Sequence, residues 1–459
     1  GESGETWFNG KSSEENFQES KDWLNHWFTI SSTVGQGEFD SPTYITVFLT
    51  PMMVLYEFAQ DSAMKVKAQM MLDLLFADFA AEHIDGAYGG GHSRDYPEDI
   101  ANPLAAPSTM WAWLYFGKPE FDQWEETRYR PRNRGGWETI FGALSSYRLP
   151  EILYRIATDR STPYVHKERK RVRNIIRFGK EKNPPVYKYS YVTKDYILGS
   201  LQGGILQPIQ QHTWDVTFVS DKPNNTIFTL HPFYSGKELA MFFPEEQKFL
   251  SDEVDRYHKV YTNPDKWTSS SPYEQTFQYK STLIVLYNIQ KGAQHPHIDG
   301  FFPKNLDTRE IDSTGWIVCR KGDTYVAVYP LRPGQWIEEA INWRWRSGVL
   351  RNGVVVEAGS LSEDGSFEQF KDRIKKTSIG AKNFSKNMAV GYRNRMGDTM
   401  RFSFDGPRIL NGKKIRLEDA KFFDSPYMQS ELRSGVITMR YKNAARILDF
   451  PKGEIRETN

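Results

Sequence analysis

The sequence has very little cysteine, no long apolar run and almost no net charge. Cys319 is the only cysteine among 459 residues, so no internal disulfide can form. It ends the apolar run Trp316 to Cys319, which predicts a buried thiol rather than a nucleophile. No apolar run reaches the roughly 18 residues of a membrane helix, so we expect no membrane span. A net charge of +1 gives no indication of a nucleic-acid partner.

Motifs for common cofactors are missing as well. There is no Walker sequence and no GxSxG, and the glycines near residue 90 follow a predicted helix, unlike a dinucleotide fingerprint. We therefore expect no cofactor. The chain begins with Gly1 rather than Met, which is typical of a processed or engineered end. We expect a secreted or periplasmic protein whose signal peptide is not part of this sequence.

Aromatic residues are abundant, at 14% of the chain, with 13 Trp, 24 Tyr and 29 Phe. Aromatic rings fill protein cores, and they also stack on the flat faces of sugars. Composition alone does not separate these two uses.

The first part of the chain, residues 1–182, shows helical spacing of its apolar residues. Ser41 and Asp61 are the expected N-caps of two helices joined by almost no loop. Pro150 is expected to break the last helix. The predicted helices are Pro42 to Gln60, Ala63 to Glu82, Pro107 to Phe116 and Trp137 to Ala157.

The second part, residues 183–459, changes to a period of two, which is typical of strands. Turn residues predict hairpins at Lys321 to Asp323, Arg351 to Gly353 and Asn411 to Gly412. One helix is expected, from Glu363 to Lys376, with Ser366 as its cap. The predicted fold is multidomain, a helical part followed by a large antiparallel β-sandwich.

A basic stretch, His166 to Arg173, continues to Lys182 between the two parts. It is either the solvated face of a helix or linker, or a basic rim that attracts a polyanion. Because the overall charge is near zero, an acidic glycan fits such a local patch better than DNA does.

Two loops in the helical part carry groups suited to proton transfer. Gly35 to Tyr44 places Glu38 and Tyr44 at a helix start, and three glycines precede His92, Arg94 and Tyr96. Each loop also has a structural interpretation, as helix capping or as a solvated surface. Since two helices separate the loops, we expect them to share one rim of the molecule.

Two further segments lie in the second part. Gln210, Gln211, His212 and Trp214 follow a pair of glycines at the entry to the strands, where a buried histidine is the structural alternative. The run His295, His297 and Asp299 has metal-ligand types, but its short spacing around Pro296 disfavours a three-ligand site. A structural divalent metal there is a minor alternative to an ordered loop.

The order and size of the two parts resemble the polysaccharide lyases of the (α/α)-toroid type, such as heparinase II/III, alginate and ulvan lyases. The segments GEFDSPTY (37–44), GGGHSRDY (89–96) and GGILQPIQQHTW (203–214) also resemble recurrent blocks of such proteins. One departure concerns the helices: a full toroid has about twelve, and about six fit before residue 182. The toroid is therefore incomplete or lacks its N-terminal portion.

The resemblance implies β-elimination on an acidic, uronate-containing polysaccharide. Arg94 and Gln211 would hold the uronate carboxylate. His92 or His212 would be the base, and Tyr96 or Tyr44 the acid. The other residues expected to contact substrate are Glu38, Gln210, Trp214, Tyr189 and Tyr191.

Two alternatives stay open. A glycoside hydrolase needs two carboxylates, for which Glu38, Asp40, Asp95 and Glu98 are candidates; a uronate epimerase would share the first proton abstraction of the lyase. The third class is a non-catalytic glycan-binding protein.

Overall fold

The computed structural model describes residues 6–38, 40–117, 139–171, 185–202, 211–233 and 271–458. The helices of these ranges are α1 Ser13–Val34, α2 Ile45–Phe58, α3 Ser62–Ala81, α4 Pro97–Ala101, α5 Ser108–Phe116, α6 Thr139–Leu144, α7 Glu151–Thr158, α8 Leu361–Asp364, α9 Phe367–Lys375 and α10 Phe384–Asn387. In this part of the chain, no helix is long and apolar enough to cross a membrane.

Local sequence signals set the helix ends. Ser12 and Glu15 form a capping box at the start of α1, and the Asp61 carboxylate accepts from the first backbone N–H groups of α3. Pro150 immediately precedes α7 and Ser366 caps α9, both as the sequence predicts. These helices therefore begin where side chains satisfy otherwise unpaired backbone donors.

The strands in the N-terminal half of the described chain are β1 His83–Ile84, β2 Ala87–Tyr88, β3 Tyr164–Lys170, β4 Val186–Val192, β5 Tyr196–Gln202, β6 Trp214–Phe218 and β7 Thr226–Leu230. Those that follow are β8 Glu274–Tyr279, β9 Thr282–Asn288, β10 Ile298–Pro303, β11 Thr308–Ile311, β12 Ile317–Lys321, β13 Thr324–Pro330, β14 Gln335–Glu338, β15 Asn342–Ser347, β16 Arg351–Ser360, β17 Ser378–Gly380, β18 Ala389–Arg393, β19 Thr399–Ser403, β20 Arg408–Leu410, β21 Lys413–Ile415, β22 Phe423–Asp424, β23 Met428–Ser430, β24 Val436–Tyr441, β25 Ala444–Asp449 and β26 Glu454–Thr458.

Antiparallel pairing assembles these strands into sheets of very different size. Within the described residues, the largest has thirteen strands in the order β14-β15-β10-β7-β6-β5-β4-β3-β22-β23-β24-β25-β26. A six-stranded sheet has the order β11-β12-β13-β16-β9-β8, and a five-stranded sheet runs from β17 to β21. The chain therefore returns to the large sheet at its end, which places β22 beside β3.

The large and six-stranded sheets pack face to face around one hydrophobic core. Leu198 and Val216 of the large sheet share this core with Val285 and Val356 of the smaller one. A second core lies on the other face of the six-stranded sheet, against α9 and the five-stranded sheet. The helices bury their apolar faces against each other and against strands β22 to β25, so helical region and sandwich are in direct contact.

Most predicted elements are present, but two interpretations are wrong. The basic stretch is not a solvated helix or linker over its described part, because His166 to Lys170 belong to β3, and the strands begin earlier than expected. Arg351 to Gly353 do not form a hairpin turn, since these residues open β16, which pairs with β9 and β13. The hairpins at Lys321 to Asp323 and at Asn411 to Gly412 are confirmed.

Candidate functional site

The triple-glycine loop lies flat against the large sheet. A Cβ atom on Gly199 of β5 would lie 2.6 Å from the Cα of Gly90, and Gly90 has φ of 93°. The backbones of His92 and His212 exchange two N–H···O bonds of 2.9 Å. The glycines thus permit a close backbone approach that larger residues would block.

His92 and His212 are brought together by this pairing, but both are buried. The His92 Nε2 atom lies 3.0 Å from the carbonyl oxygen of Tyr88, and the His212 Nε2 atom lies 3.0 Å from Asp215 Oδ2. Each histidine is only 2% exposed. Burial lowers the pKa of His92 well below its usual value, so this ring is neutral. The two histidines hold the loop, and neither reaches solvent to take a proton from a polymer.

Four partly exposed side chains next to them form what we call the rim cluster: Glu38, Tyr44, Arg94 and Tyr96. Arg94 Nη1 donates to Glu38 Oε1 over 2.8 Å, and the guanidinium carbon lies 4.4 Å from the centre of the Tyr44 ring. The hydroxyl oxygens of Tyr44 and Tyr96 are 2.8 Å apart. A cation, a carboxylate and two phenols therefore meet at one place.

The two loops that supply the rim cluster are joined by further hydrogen bonds. Ser41 Oγ donates to the carbonyl oxygen of Arg94 over 2.9 Å and accepts from the Tyr44 backbone N–H over 3.0 Å. Thr43 Oγ1 donates to Asp99 Oδ2 over 2.6 Å. The loops share a rim, as the intervening pair of helices predicts.

The backbone of this region is held in an unfavourable conformation. Asp40 and Arg94 have φ of 50° and 37°, in the left-handed region that side chains other than glycine avoid. Such strain persists only where surrounding contacts enforce it, and it is frequent at functional sites.

A buried ionic cluster beneath the rim supplies such contacts for Asp40. The Asp40 carboxylate lies 3.2 Å from Lys170 Nζ and 3.1 Å from Lys188 Nζ. Lys170 also contacts Asp78 and Glu168, at 2.5 and 2.6 Å. Lys188 pairs with Glu82, which accepts from Ser190 Oγ over 2.5 Å, and His166 Nε2 is 2.5 Å from Glu168.

Strand alternation creates this cluster. His166, Glu168 and Lys170 alternate along β3, Lys188 and Ser190 alternate along β4, and all five face helix α3. Asp78 of helix α3 and Glu82, which directly follows the helix, reach into the same space. A sheet face that usually buries apolar residues is polar here.

The cluster has more carboxylates than lysines. Burial, with the nearby charges of Asp40 and Glu168, raises the pKa of Asp78 well above its usual value. Burial also raises the pKa of Glu82 to about 7, although Lys188 favours the carboxylate. The excess negative charge is thus relieved by bound protons. Asp40, Glu82 and Glu168 lie close enough to bind a metal ion, but the two lysine ammonium groups already contact these carboxylates.

Several sequence-predicted contact residues lie elsewhere. Trp214 is fully buried in the core between the sheets. Gln211 is 2% exposed but directly precedes His212, whose backbone pairs with that of His92. Tyr189 and Tyr191 point away from the rim cluster, because they alternate with Lys188 and Ser190 on β4; their hydroxyls contact the Lys280 backbone and Glu363. Trp214, Tyr189 and Tyr191 therefore do not join the rim cluster, and their contact with substrate stays a prediction. Gln210 lies outside the described residues.

The minor metal alternative has a different explanation. Asp299 accepts from Arg346 Nε and Nη2 at 2.7 and 2.9 Å, and Arg344 Nη1 lies 3.4 Å away. His297 Nε2 is 3.6 Å from the same carboxylate. Two arginines thus neutralise Asp299, and a cation there would have to displace them.

Sequence reasoning missed the buried ionic cluster altogether. The only signal is the alternation of His166, Glu168 and Lys170 within a stretch for which the sequence predicts either a solvated face or a basic rim. Comparison of the chain with protein-family models, with curated proteins and with solved structures gave no match. A function for this protein therefore rests on the rim cluster and the ionic cluster beneath it.

Proposed function

We propose that this protein is a polysaccharide lyase that cleaves a uronate-containing polysaccharide by β-elimination. One observation carries the proposal: the Tyr44 and Tyr96 hydroxyls lie 2.8 Å apart, on a partly exposed rim, beside the Arg94 guanidinium. Two proton-transfer groups next to a carboxylate-binding cation are what this reaction requires.

The reaction needs one proton removed and one proton supplied. A base takes the proton from C5 of the uronate, the electron pair of that bond forms the C4–C5 double bond, and the C4–O bond to the leaving sugar breaks. An acid then donates a proton to the leaving oxygen. Arg94 acts before these two proton transfers, because its positive charge beside the uronate carboxylate makes the C5 proton more acidic.

The tyrosine pair supports both proton transfers. An ordinary phenol has a pKa of about 10, and a neighbouring cation favours its ionised form. Arg94 is such a neighbour for Tyr44. We assign Tyr44 and Tyr96 as the base and acid pair, and His92 and His212 as positioning residues that anchor the loop.

Arg94 binds Glu38 before substrate arrives, over 2.8 Å. The Arg94 side chain is 25% exposed, so a carboxylate of the substrate can approach it. In this proposal Glu38 orients Arg94.

The proposal also extends to fold and location. Helices α1 to α7 are part of an (α/α) toroid, and the protein is secreted or periplasmic.

The glycoside hydrolase alternative is less well supported. It requires two carboxylates that flank the scissile bond. Asp40 is 2% exposed and its carboxylate contacts two lysines, so it is unsuited to act beside Glu38. Asp95 is likewise 2% exposed.

A panel of uronate-containing polysaccharides tests the proposal. Cleavage should produce ultraviolet absorbance from the new C4–C5 double bond, and Tyr96→Phe should slow its appearance by about a hundredfold or more. Cleavage without a chromophore would favour the hydrolase, and binding without turnover would favour a non-catalytic protein. No cleavage of any polymer by the wild-type chain would overturn the proposal.

A further inference from the structure

A second cation lies over two tryptophans at one end of the large sheet. The guanidinium carbon of Arg309 is 4.2 Å from the ring centre of Trp336 and 4.8 Å from that of Trp343. Arg309 belongs to β11, the outermost strand of the six-stranded sheet, and the tryptophans belong to β14 and β15 at the end of the large sheet. The group therefore spans the open edge of the sandwich.

Strand register explains why these side chains meet. Arg309 pairs with Cys319, which lies in the core between the sheets, and Trp336 pairs with Trp345 of the same core. Directly opposed residues of antiparallel strands point to the same face. Arg309 and both tryptophans thus project into the space between the sheets, where the core ends and solvent begins.

Arg309 differs from the other charged residues of this edge. Lys304 pairs with Glu338 at 2.7 Å, and Arg344 pairs with Glu339. The Arg309 side chain contacts both indoles and makes no hydrogen bond or ion pair with the residues that the structure describes. Burial lowers the pKa of Arg309, yet a guanidinium remains charged at neutral pH. Its N–H donors are therefore available to an external anion.

An open groove adjoins the same tryptophan. It has a volume of about 380 Å³ and is lined by Trp336, Trp345, Ile311, Leu331 and Pro333. This size is within the range of small-molecule sites, and the lining combines apolar side chains with the charged Arg332. Ile311 is 56% exposed, so the apolar surface continues outward from the groove.

We propose that Arg309, Trp336 and Trp343 form a second binding site for an acidic sugar residue, separate from the rim cluster. The guanidinium binds the carboxylate in a bidentate pair, and an indole packs on the apolar face of the pyranose ring. Cation–aromatic stacking fixes the guanidinium and leaves its edge free for this pairing.

The inference rests on the proposed function for the identity of the ligand. A uronate combines an apolar ring face with a carboxylate on the same small unit, which matches aromatic faces beside a guanidinium that no described residue pairs. A site away from the reacting bond holds the polymer by a second point and raises its effective concentration at the first. Long chains should therefore bind more tightly than short ones.

The test separates binding from catalysis. Titration calorimetry with a short uronate oligosaccharide is performed on Arg94→Met, which removes the carboxylate contact of the rim cluster. We expect one remaining site, weakened about tenfold or more when Arg309→Met is added, because a hydrogen-bonded charge pair is lost. The substitution keeps an unbranched apolar side chain over the indoles, so the sandwich edge remains filled.

Matched controls make the outcome specific. Arg320→Met removes the same charge from the neighbouring strand β12, on an exposed side chain, and should leave affinity unchanged. The same oligosaccharide with its carboxyl groups reduced to alcohols should bind at least about tenfold more weakly to the protein with Arg309 intact.

Four results would overturn the inference: unchanged affinity in Arg309→Met, equal loss in Arg320→Met, equal binding of the reduced oligosaccharide, or binding of an acidic peptide in place of the sugar. Absence of any binding to Arg94→Met would do the same. Failure of the proposed lyase activity alone would give a different result: no ultraviolet chromophore would form, while the oligosaccharide would still bind at Arg309.

Discussion

The hydroxyl oxygens of Tyr44 and Tyr96 lie 2.8 Å apart although 52 residues separate them in the chain. Their rings are stacked with centroids 6.3 Å apart, and Arg94 lies over the ring of Tyr44. A proton can pass between two phenols at this distance, and the cation next to them can bind a carboxylate. This relationship defines the reactive part of the proposed site.

Replacement of Tyr96 by phenylalanine should remove the acid or base without disturbing the fold. We expect kcat on the cleaved polysaccharide to fall by about a hundredfold or more, since general acid–base catalysis contributes that much. The lost hydrogen bond should cost only about 1 kcal/mol of stability. Steady-state kinetics and thermal unfolding measure the two effects. The control is Tyr154→Phe on α7, an exposed tyrosine; equal losses in both variants would contradict the assignment.

Glu38→Gln separates the lyase from the hydrolase. In the lyase, Glu38 only orients Arg94, and a partly exposed ion pair contributes about 0.2–1 kcal/mol, so KM should change by no more than about fivefold. In a hydrolase that uses Glu38 as a carboxylate, the same substitution abolishes turnover. Kinetics of the purified variant decide, and a complete loss of activity would count against the lyase.

Lys188→Met should strongly destabilise the protein. Lys188 is fully buried between Asp40 and Glu82, and removal of one partner of a buried ion pair costs about 3–5 kcal/mol. Urea unfolding measures the change. Lys194→Met, which removes an exposed lysine, should be nearly neutral.

The reason for the destabilisation can be tested in the same background. Adding Glu82→Gln to Lys188→Met removes the uncompensated carboxylate, so part of the lost stability should return. If Glu82→Gln lowers the free energy of unfolding by the same amount in the Lys188→Met variant as in the wild type, the two residues are not energetically coupled.

Glu274 predicts a specific pH dependence. Burial raises the pKa of Glu274 to about 8, while Tyr287 donates to its carboxyl group over 3.2 Å. The folded state therefore keeps a proton that the unfolded state loses near pH 4.5, so this stabilising contribution is full below pH 4.5 and is lost as pH rises to about 8. One proton corresponds to a slope of about 1.4 kcal/mol per pH unit.

Glu274→Gln should remove that slope. As pH rises from 5 to 8, the unfolding free energy of the wild type should fall relative to that of the variant, because only the wild type loses the proton of Glu274. Urea unfolding at several pH values measures it. A difference that stays constant over this range would show that Glu274 does not titrate there.

Local signals in the sequence predicted many elements well. Asp61 caps α3, Pro150 precedes α7, Ser366 caps α9, and the turn at Asn411 to Gly412 joins two short strands. These features depend on nearest neighbours and on backbone preferences, which the sequence contains directly. The hairpin predicted at Arg351 to Gly353 is wrong because the strands that pair with β16 lie far from it in the chain.

The candidate site was predicted in part. The two loops carrying Glu38 and Arg94 were expected to meet, because two helices bring the chain back to the same end. The roles given to His92 and His212 were not tested, but their burial favours positioning over proton transfer. The places of Trp214, Tyr189 and Tyr191 were beyond prediction, because alternation does not say which face of a strand meets which neighbour.

The sequence by itself determined the helical beginning, the strand-rich remainder and the residue types of the rim cluster. Those follow from periodicity, capping residues and turns. Only the tertiary structure decided that Lys170 and Lys188 are buried beneath Asp40, that Gly90 lies against Gly199, and that Arg309 meets two tryptophans. These contacts join residues distant in sequence, and they depend on the order and register of strands in the sheets, which local propensity does not specify.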